Sequence, residues 1–472
     1  MTKKAFQYDM QRGLGSCVRE LKKITDAKEL QKFQPLVLWA CDRDTAFDAQ
    51  CEGSRGAYLY ELIKQFPDCM PFLDVVERCL FRSIRLIGWE FAQSCDILAY
   101  FAFDGNEQAL SILKKCYQDL FGILLRKRKR TKYGLLPEED NYTYLCVSFV
   151  RECIREKAEI VEYFRTIVND MGILIQNNSL YSAFSFYWFQ LASEEKLGKK
   201  FIHRLLHQKS ASEAIKVYTS SLETWIVDSD KKAAEHKKNM PASAEELYDR
   251  LKNGSEIERR LPMNLLQKLM VHNPQEVVKL AEYYKNEKET KVRKMLLRQL
   301  KNESCAWAVD LLQLIADTKS DDEGLALYAF DALSHRRDVL IRNYAYELIQ
   351  NGTHFYEAVS MLAENYEEAD YDFFVNTVKQ LPITFENTEW HWVFGDVMHM
   401  IKHSPIKRTP KELLHYMYRN TFCSSCRAEI VKELGRRHML TQELLEELQY
   451  DCNEDIRNYA YKKFERRSFS NY

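Results

Sequence analysis

A six-residue string occurs twice in this chain. Ile341-Arg342-Asn343-Tyr344-Ala345-Tyr346 recurs identically as Ile456-Arg457-Asn458-Tyr459-Ala460-Tyr461. Weaker copies are Lys291-Val292-Arg293-Lys294-Met295-Leu296 and Ser425-Cys426-Arg427-Ala428-Glu429-Ile430. Aligned on arginine, positions 293, 342, 427 and 457 fall at intervals of one, two and one units of a repeat of about 40–47 residues, the length of a helix pair in stacked helical arrays. A chain that repeats in this way adds similar elements to one growing core, so its 472 residues need not divide into three independent globules.

The rest of the sequence agrees with a succession of helices. Only 15 Gly and 10 Pro occur in the whole chain, too few turn-makers for a many-stranded sandwich or barrel. Phe355, Val359, Leu362 and Tyr366 follow helical spacing, as do Cys305, Val309, Leu312 and Ala316, and Phe374, Val378 and Leu381. Connectors are short and carry stop signals at Asn351-Gly352-Thr353, Leu381-Pro382, Ser404-Pro405 and Thr409-Pro410. In the first half, Leu59, Leu62, Ile63 and Phe66 form one apolar face and Phe72, Val75, Val76, Cys79 and Leu80 another. Asp104-Gly105-Asn106 reads as a turn before Ala109, Ile112, Leu113, Cys116 and Leu120. Phe184 to Phe189 is aromatic enough for a strand, but among these neighbours it reads as a buried helical turn.

A polar stretch from Asp228 to Asn239 lacks apolar periodicity and precedes Met240-Pro241. It is followed by the capping-box pattern Ser243-Ala244-Glu245-Glu246, and that helix should stop at Asn253-Gly254. The expected organisation is an irregular helical-repeat-like domain over 1–228, a polar linker over 229–242 and a repeat domain over 243–472. The alternative is a helical excursion within one continuous array.

The motif [D/N]-x-x-[V/I]-R-x-x-A-x-x-[L/F] is carried by Asp338 to Leu348 and, with its last apolar position one residue late, by Asn453 to Phe464. It resembles the second helix of HEAT and HEAT-like repeats over about 285–472. The resemblance implies an all-α fold, a right-handed α-solenoid of antiparallel helix pairs in one or two segments. It also implies that Arg293, Arg342, Arg427 and Arg457 join a ladder of polar contacts between repeats; the alternative is that some hold an anionic partner.

Candidate chemistry is sparse. Gly13-Leu14-Gly15-Ser16 lacks the preceding strand and third glycine of a dinucleotide fingerprint, and reads as a turn with Ser16 as N-cap. Cys423-x-x-Cys426 with His399 and His403 offers two sulfur and two nitrogen ligands, but in an order unlike a zinc finger, so no metal is expected. The run Arg126 to Lys132 reads as an exposed loop offset by Glu138, Glu139 and Asp140, or as a phosphate contact. The densest polar cluster is Asp44, Asp48, Glu52 and Arg55. If helical, its three carboxylates share a face and would repel unless a cation or arginine lies among them, which marks a candidate binding site.

No P-loop, zincin, nucleophile elbow or kinase signature occurs, and no catalytic residue or cofactor is assigned. The N-terminus has no apolar core for a signal peptide. Thirteen scattered cysteines, among them Cys79, Cys95, Cys116 and Cys146 in apolar surroundings, read as free thiols of a cytoplasmic protein. With 68 basic and 69 acidic side chains, and both halves near neutral, the charge does not point to nucleic acid. The expectation is a non-catalytic intracellular scaffold presenting a concave surface to a protein or peptide, with no membrane contact. The alternative is a nucleic-acid-binding HEAT-like protein, including a DNA glycosylase-like enzyme.

Overall fold

The structure is a computed structural model. It describes residues 1–86, 88–126, 137–177, 183–238, 243–255, 273–302, 304–406 and 408–470, with backbone alone for 183–185, 232–238 and 465–470. Among the described residues every regular element is helical, so the fold is all-α. None of the described helices is long and apolar enough to cross a membrane.

The chain forms two compact units. The first comprises Met1–Lys232 together with Phe422–Ala428 and His438–Tyr472; the second comprises Ala233–Thr421 and Glu429–Arg437. The polar stretch read as a linker runs, as far as Lys238, within the helix Glu213–Lys238. Residues 239–242 lie outside the described residues. Beyond them Ser243 accepts from the Glu246 amide at 3.1 Å, the cap its spacing implied, and the helix Ala244–Asn253 ends at Gly254.

In the first unit the expected apolar faces form the helices Gly56–Ile63, Met70–Ser83 and Glu107–Leu125. Gly105 takes a positive φ of 91°, and Asn106 caps the helix after it by accepting from Ala109 N at 2.9 Å. The aromatic run around Phe186 is helical, within Ala183–Leu197. Helices two apart in sequence lie side by side: Gly56–Ile63 packs on Glu90–Phe103, that on Pro137–Arg151, and that on Ala183–Leu197. The intervening helices Met70–Ser83, Glu107–Leu125 and Lys157–Gln176 pack between them and on one another. A continuous apolar core results, against which Tyr450 and Cys452 also pack. Each fully buried aliphatic or aromatic side chain contributes about 1.5–3 kcal/mol, so this shared core stabilises the unit.

The second unit repeats the arrangement. Thr290–Leu300 packs on Glu323–Ser334, that on Phe355–Glu364, and that on Glu389–His403, with Leu311–Asp317, Val339–Asn351 and Tyr371–Lys379 set against them. One periodic reading fails here. Cys305 to Ala316 is not one helix but a single 3₁₀ turn, Ala306–Ala308, and the helix Leu311–Asp317. Asp310 caps the latter by accepting from Gln313 N at 3.0 Å, which restarts the helical phase and leaves Leu312 exposed while Leu314 is buried.

The Gly13-Gly15 turn also differs from its reading. Gly13 ends the first helix in the left-handed region at φ 72°, and Gly15, not Ser16, is the cap of Ser16–Lys23. Ser16 Oγ instead donates to Asp9 Oδ2 at 2.8 Å. The glycines serve close approach: Cys452 N donates to Gly13 O at 2.9 Å, and a Cβ on Gly15 would stand 1.9 Å from Glu447 O. Gly15→Ala should therefore destabilise the protein by about 1–3 kcal/mol in urea denaturation, since backbone must shift to admit a methyl group. An unchanged midpoint would mean that the turn does not hold residues 447–452 in solution.

Candidate functional site

The four residues singled out by charge density do not share a helix face. Only Ala49–Glu52 is helical in that stretch. Asp44 precedes it and accepts from Ala46 N at 3.0 Å, with burial raising its carboxyl above the ordinary value. Asp48 caps the short helix by accepting from Cys51 N at 3.3 Å, and its own amide donates to Glu52 Oε1 at 3.1 Å. Glu52 also pairs with Arg55 at 3.1 Å, both side chains 1% exposed. Arg55 further donates to the carbonyls of Gln11 and Phe422. Each of the four thus has a local partner, and Arg55 is a buried tie between three segments of the first unit.

The repeat arginines are likewise engaged. Arg293 reaches both oxygens of Asp317, at 2.5 Å to Oδ2 and 2.7 Å to Oδ1, and Tyr284 donates to the same carboxylate. Arg342 holds Asp370 with Nε at 3.1 Å, and Tyr346 donates to it. Against the cost of burial, these two partners keep the Asp370 carboxyl below its ordinary value. Arg427 binds Asp451 through two bonds of 2.8 and 3.0 Å, neither side chain exposed at all. Arg457 departs from the pattern and donates to the carbonyls of Asp451 and Cys452, each at 2.8 Å.

A different set of residues forms the most chemically distinctive face of the first unit. On the adjoining helices Glu90–Phe103, Pro137–Arg151 and Ala183–Leu197, the half-buried Asp96, Tyr100 and Tyr144 and the exposed Trp188 succeed one another. Ser54 donates to Asp96, Tyr144 OH donates to both Asp96 oxygens at 2.9 and 3.1 Å, and the Tyr144 and Trp188 rings lie 6.0 Å apart. Gly56 brings its helix close: a Cβ there would stand 2.3 Å from Asp96 Cβ.

Glu152 follows directly on the Pro137–Arg151 helix, and its Oε2 is buried without a hydrogen bond. Burial, then the charge of Glu152, push the Asp96 carboxyl well above its ordinary value, although Ser54 and Tyr144 pull the other way. Burial raises Glu152 also, with Glu454 adding to it and Arg151 opposing. Burial together with Asp96 and Glu152 raises the Tyr144 phenol. A carboxyl raised by burial and by a neighbouring carboxylate, beside aromatic faces, can receive a cation.

Sequence reasoning missed this face. Its one local signal is Asp96, a lone carboxylate in the otherwise uncharged stretch from Phe91 to Phe103.

The other sequence motifs are placed as follows. Cys423 and Cys426 belong to the first unit, His399 and His403 to the second, where the two rings lie 4.8 Å apart. Of the basic run, Lys127 to Lys132 lie outside the described residues. Glu138 and Glu139 are buried in the first turn of their helix, so only Asp140 of that trio is exposed. All thirteen cysteines are unbridged, with Cys79, Cys95, Cys116 and Cys146 buried as expected.

No family model matches this chain, and no curated protein does. Among solved structures, an engineered protein is 13% identical, with 95% of this chain and 97% of that chain covered, at a TM-score of 0.17, which is too low to carry a fold or a function across.

Two measurements test these contacts. Arg427→Ala strands a buried carboxylate and should cost about 3–5 kcal/mol in denaturant unfolding. Arg342→Ala, whose guanidinium is partly exposed, should cost less; equal losses would contradict the burial difference. The raised carboxyls also predict a pH slope. A carboxyl with a raised folded value favours the folded state at low pH, and that contribution is lost as pH rises through the folded value. As pH rises above the ordinary carboxyl range of about 4, the native protein should lose stability relative to the double variant Asp96→Asn, Glu152→Gln. Parallel curves would remove the pair's raised titration.

Proposed function

We propose that this chain is a non-catalytic cytoplasmic binding protein, a HEAT-like α-solenoid of antiparallel helix pairs that receives a protein partner on its helical surface. The packing of helices two apart, in each unit, supports the array. The observation that carries the binding role is the face formed by Asp96, Glu152, Tyr144 and Trp188. Two neighbouring carboxyls there leave a buried oxygen without a hydrogen bond, beside an exposed indole. The chemistry that satisfies it is a lysine or arginine side chain, by charge-assisted hydrogen bonding and cation–π contact. The partner would therefore present a basic peptide segment.

The second reading, a nucleic-acid protein of the glycosylase-like kind, draws on the same face, because an aromatic wall with a carboxylate is what an extruded base requires. Against it stand the repeat arginines Arg293, Arg342 and Arg427, each held by an aspartate.

Calorimetry with a lysine- and arginine-rich peptide, on the native chain and the Asp96→Asn, Glu152→Gln variant, tests the first reading. A charge-assisted bond is worth about 1.5–3 kcal/mol, so binding should weaken about 10- to 100-fold in the variant. Equal affinity in both would sink it. A duplex mobility shift at about 50 mM salt that the variant abolishes would favour the second reading instead.

A further inference from the structure

The pair Cys423 and Cys426 has a geometry that neither the proposed binding role nor the arginine contacts uses. Cys423 is the cap of the helix Ser424–Arg436: its carbonyl accepts the first intrahelical bond, from Arg427 N at 3.1 Å. Its sulfur accepts from the Cys426 amide at 3.5 Å, the place a capping serine oxygen takes. The two sulfur atoms lie within 4.8 Å of one another. A sulfur at a helix N-terminus is favoured as thiolate by the amide dipoles, the condition for thiol–disulfide exchange. Cys423 is buried and Cys426 half-buried, so only the second can be met from solvent. Phe422, next to the pair, packs its ring 5.6 Å from Tyr8 and 6.4 Å from Phe47, which holds this turn against the rest of the first unit.

We propose that Cys423 and Cys426 form a redox-active dithiol, oxidised to an intramolecular disulfide by exchange with a small disulfide such as glutathione disulfide. The Cys426 thiolate attacks one glutathione sulfur, forming a mixed disulfide and releasing one glutathione thiolate. The Cys423 thiolate then attacks the Cys426 sulfur, breaking the mixed disulfide and releasing the second. Two electrons pass from the protein sulfurs to the glutathione sulfurs. The two protons lost by the protein thiols equal the two taken up by the released glutathiones. Cys51, exposed and with its carbonyl 3.4 Å from Ser425 Oγ, is the neighbouring thiol that could compete.

The test equilibrates the full chain in glutathione buffers of graded ratio, quenches with an alkylating agent and maps tryptic peptides by mass. Both cysteines fall on one peptide, residues 420–427. The expected result is reversible loss of two hydrogens from that peptide, responding to glutathione ratio, unchanged by Cys51→Ser. Cys426→Ser should abolish it; Cys423→Ser, which keeps an oxygen at the cap, should leave Cys426 as a stable mixed disulfide while helicity by circular dichroism stays native. The idea is overturned if the peptide stays reduced at every ratio. A disulfide joining Cys51 to Cys423 would overturn it as well, and so would zinc bound near one per chain that blocks the exchange until chelated.

Discussion

Two guanidinium groups buried in the first unit set conditions that its other contacts must meet. Arg55 and Arg427 are each about 1% exposed or less, and a charge so far from water is tolerated only with a partner in place. Glu52 and Asp451 provide those partners. Because Arg55 also holds the carbonyls of Gln11 and Phe422, the segments around residues 11, 52 and 422 are fixed to one point. Arg427 then carries the fixation to Asp451, and Cys452 returns it to the Gly13 turn. The glycines at 13 and 15 are a consequence: the chain approaches there more closely than a side chain allows.

That closure explains what was legible in the sequence and what was not. Helical periodicity is local, so Phe72 to Leu80 or Phe355 to Leu362 announce their elements and buried faces directly. Caps are local too: Ser243 acts as its spacing implies, and the turn read at Asp104-Gly105-Asn106 ends in a cap by Asn106. Asp310 shows the limit, since a single capping carboxylate resets the phase of an apolar pattern that otherwise reads straight through. The arginine repeat was visible, but its partners were not: Asp317, Asp370 and Asp451 stand 24 to 28 residues further on, beyond any local pattern. The return of residues 422–428 and 438–472 to the first unit likewise has no local signature.

The same reasoning separates the two acidic groups. Asp44, Asp48 and Glu52 looked like a site because they are dense in sequence, yet each is consumed by a turn, a cap or an ion pair. Asp96 and Glu152 are distant in sequence and look unremarkable there, yet packing brings their charges within reach of one another, with hydroxyl donors on Asp96 and an oxygen of Glu152 left without a hydrogen bond. Density in sequence measures local structure. A functional constellation is assembled by packing, and packing is where the capacity of this pair arises.

Near-neutral total charge takes on a sharper meaning in this light. In a chain of 68 basic and 69 acidic side chains, balance could mean an inert surface or internal pairing. Three of the four repeat arginines point to the second: Arg293, Arg342 and Arg427 spend their positive charge holding aspartates within a unit. Asp96 and Glu152 in the first unit differ: neither has an ion pair among the described residues, and Asp96 is bonded by hydroxyls beside aromatic rings. Bulk charge could not reveal this, because a buried pair counts the same as two solvated ions in the sum. On the proposed reading, the local sign at that face, not the sum, is what selects a cationic partner.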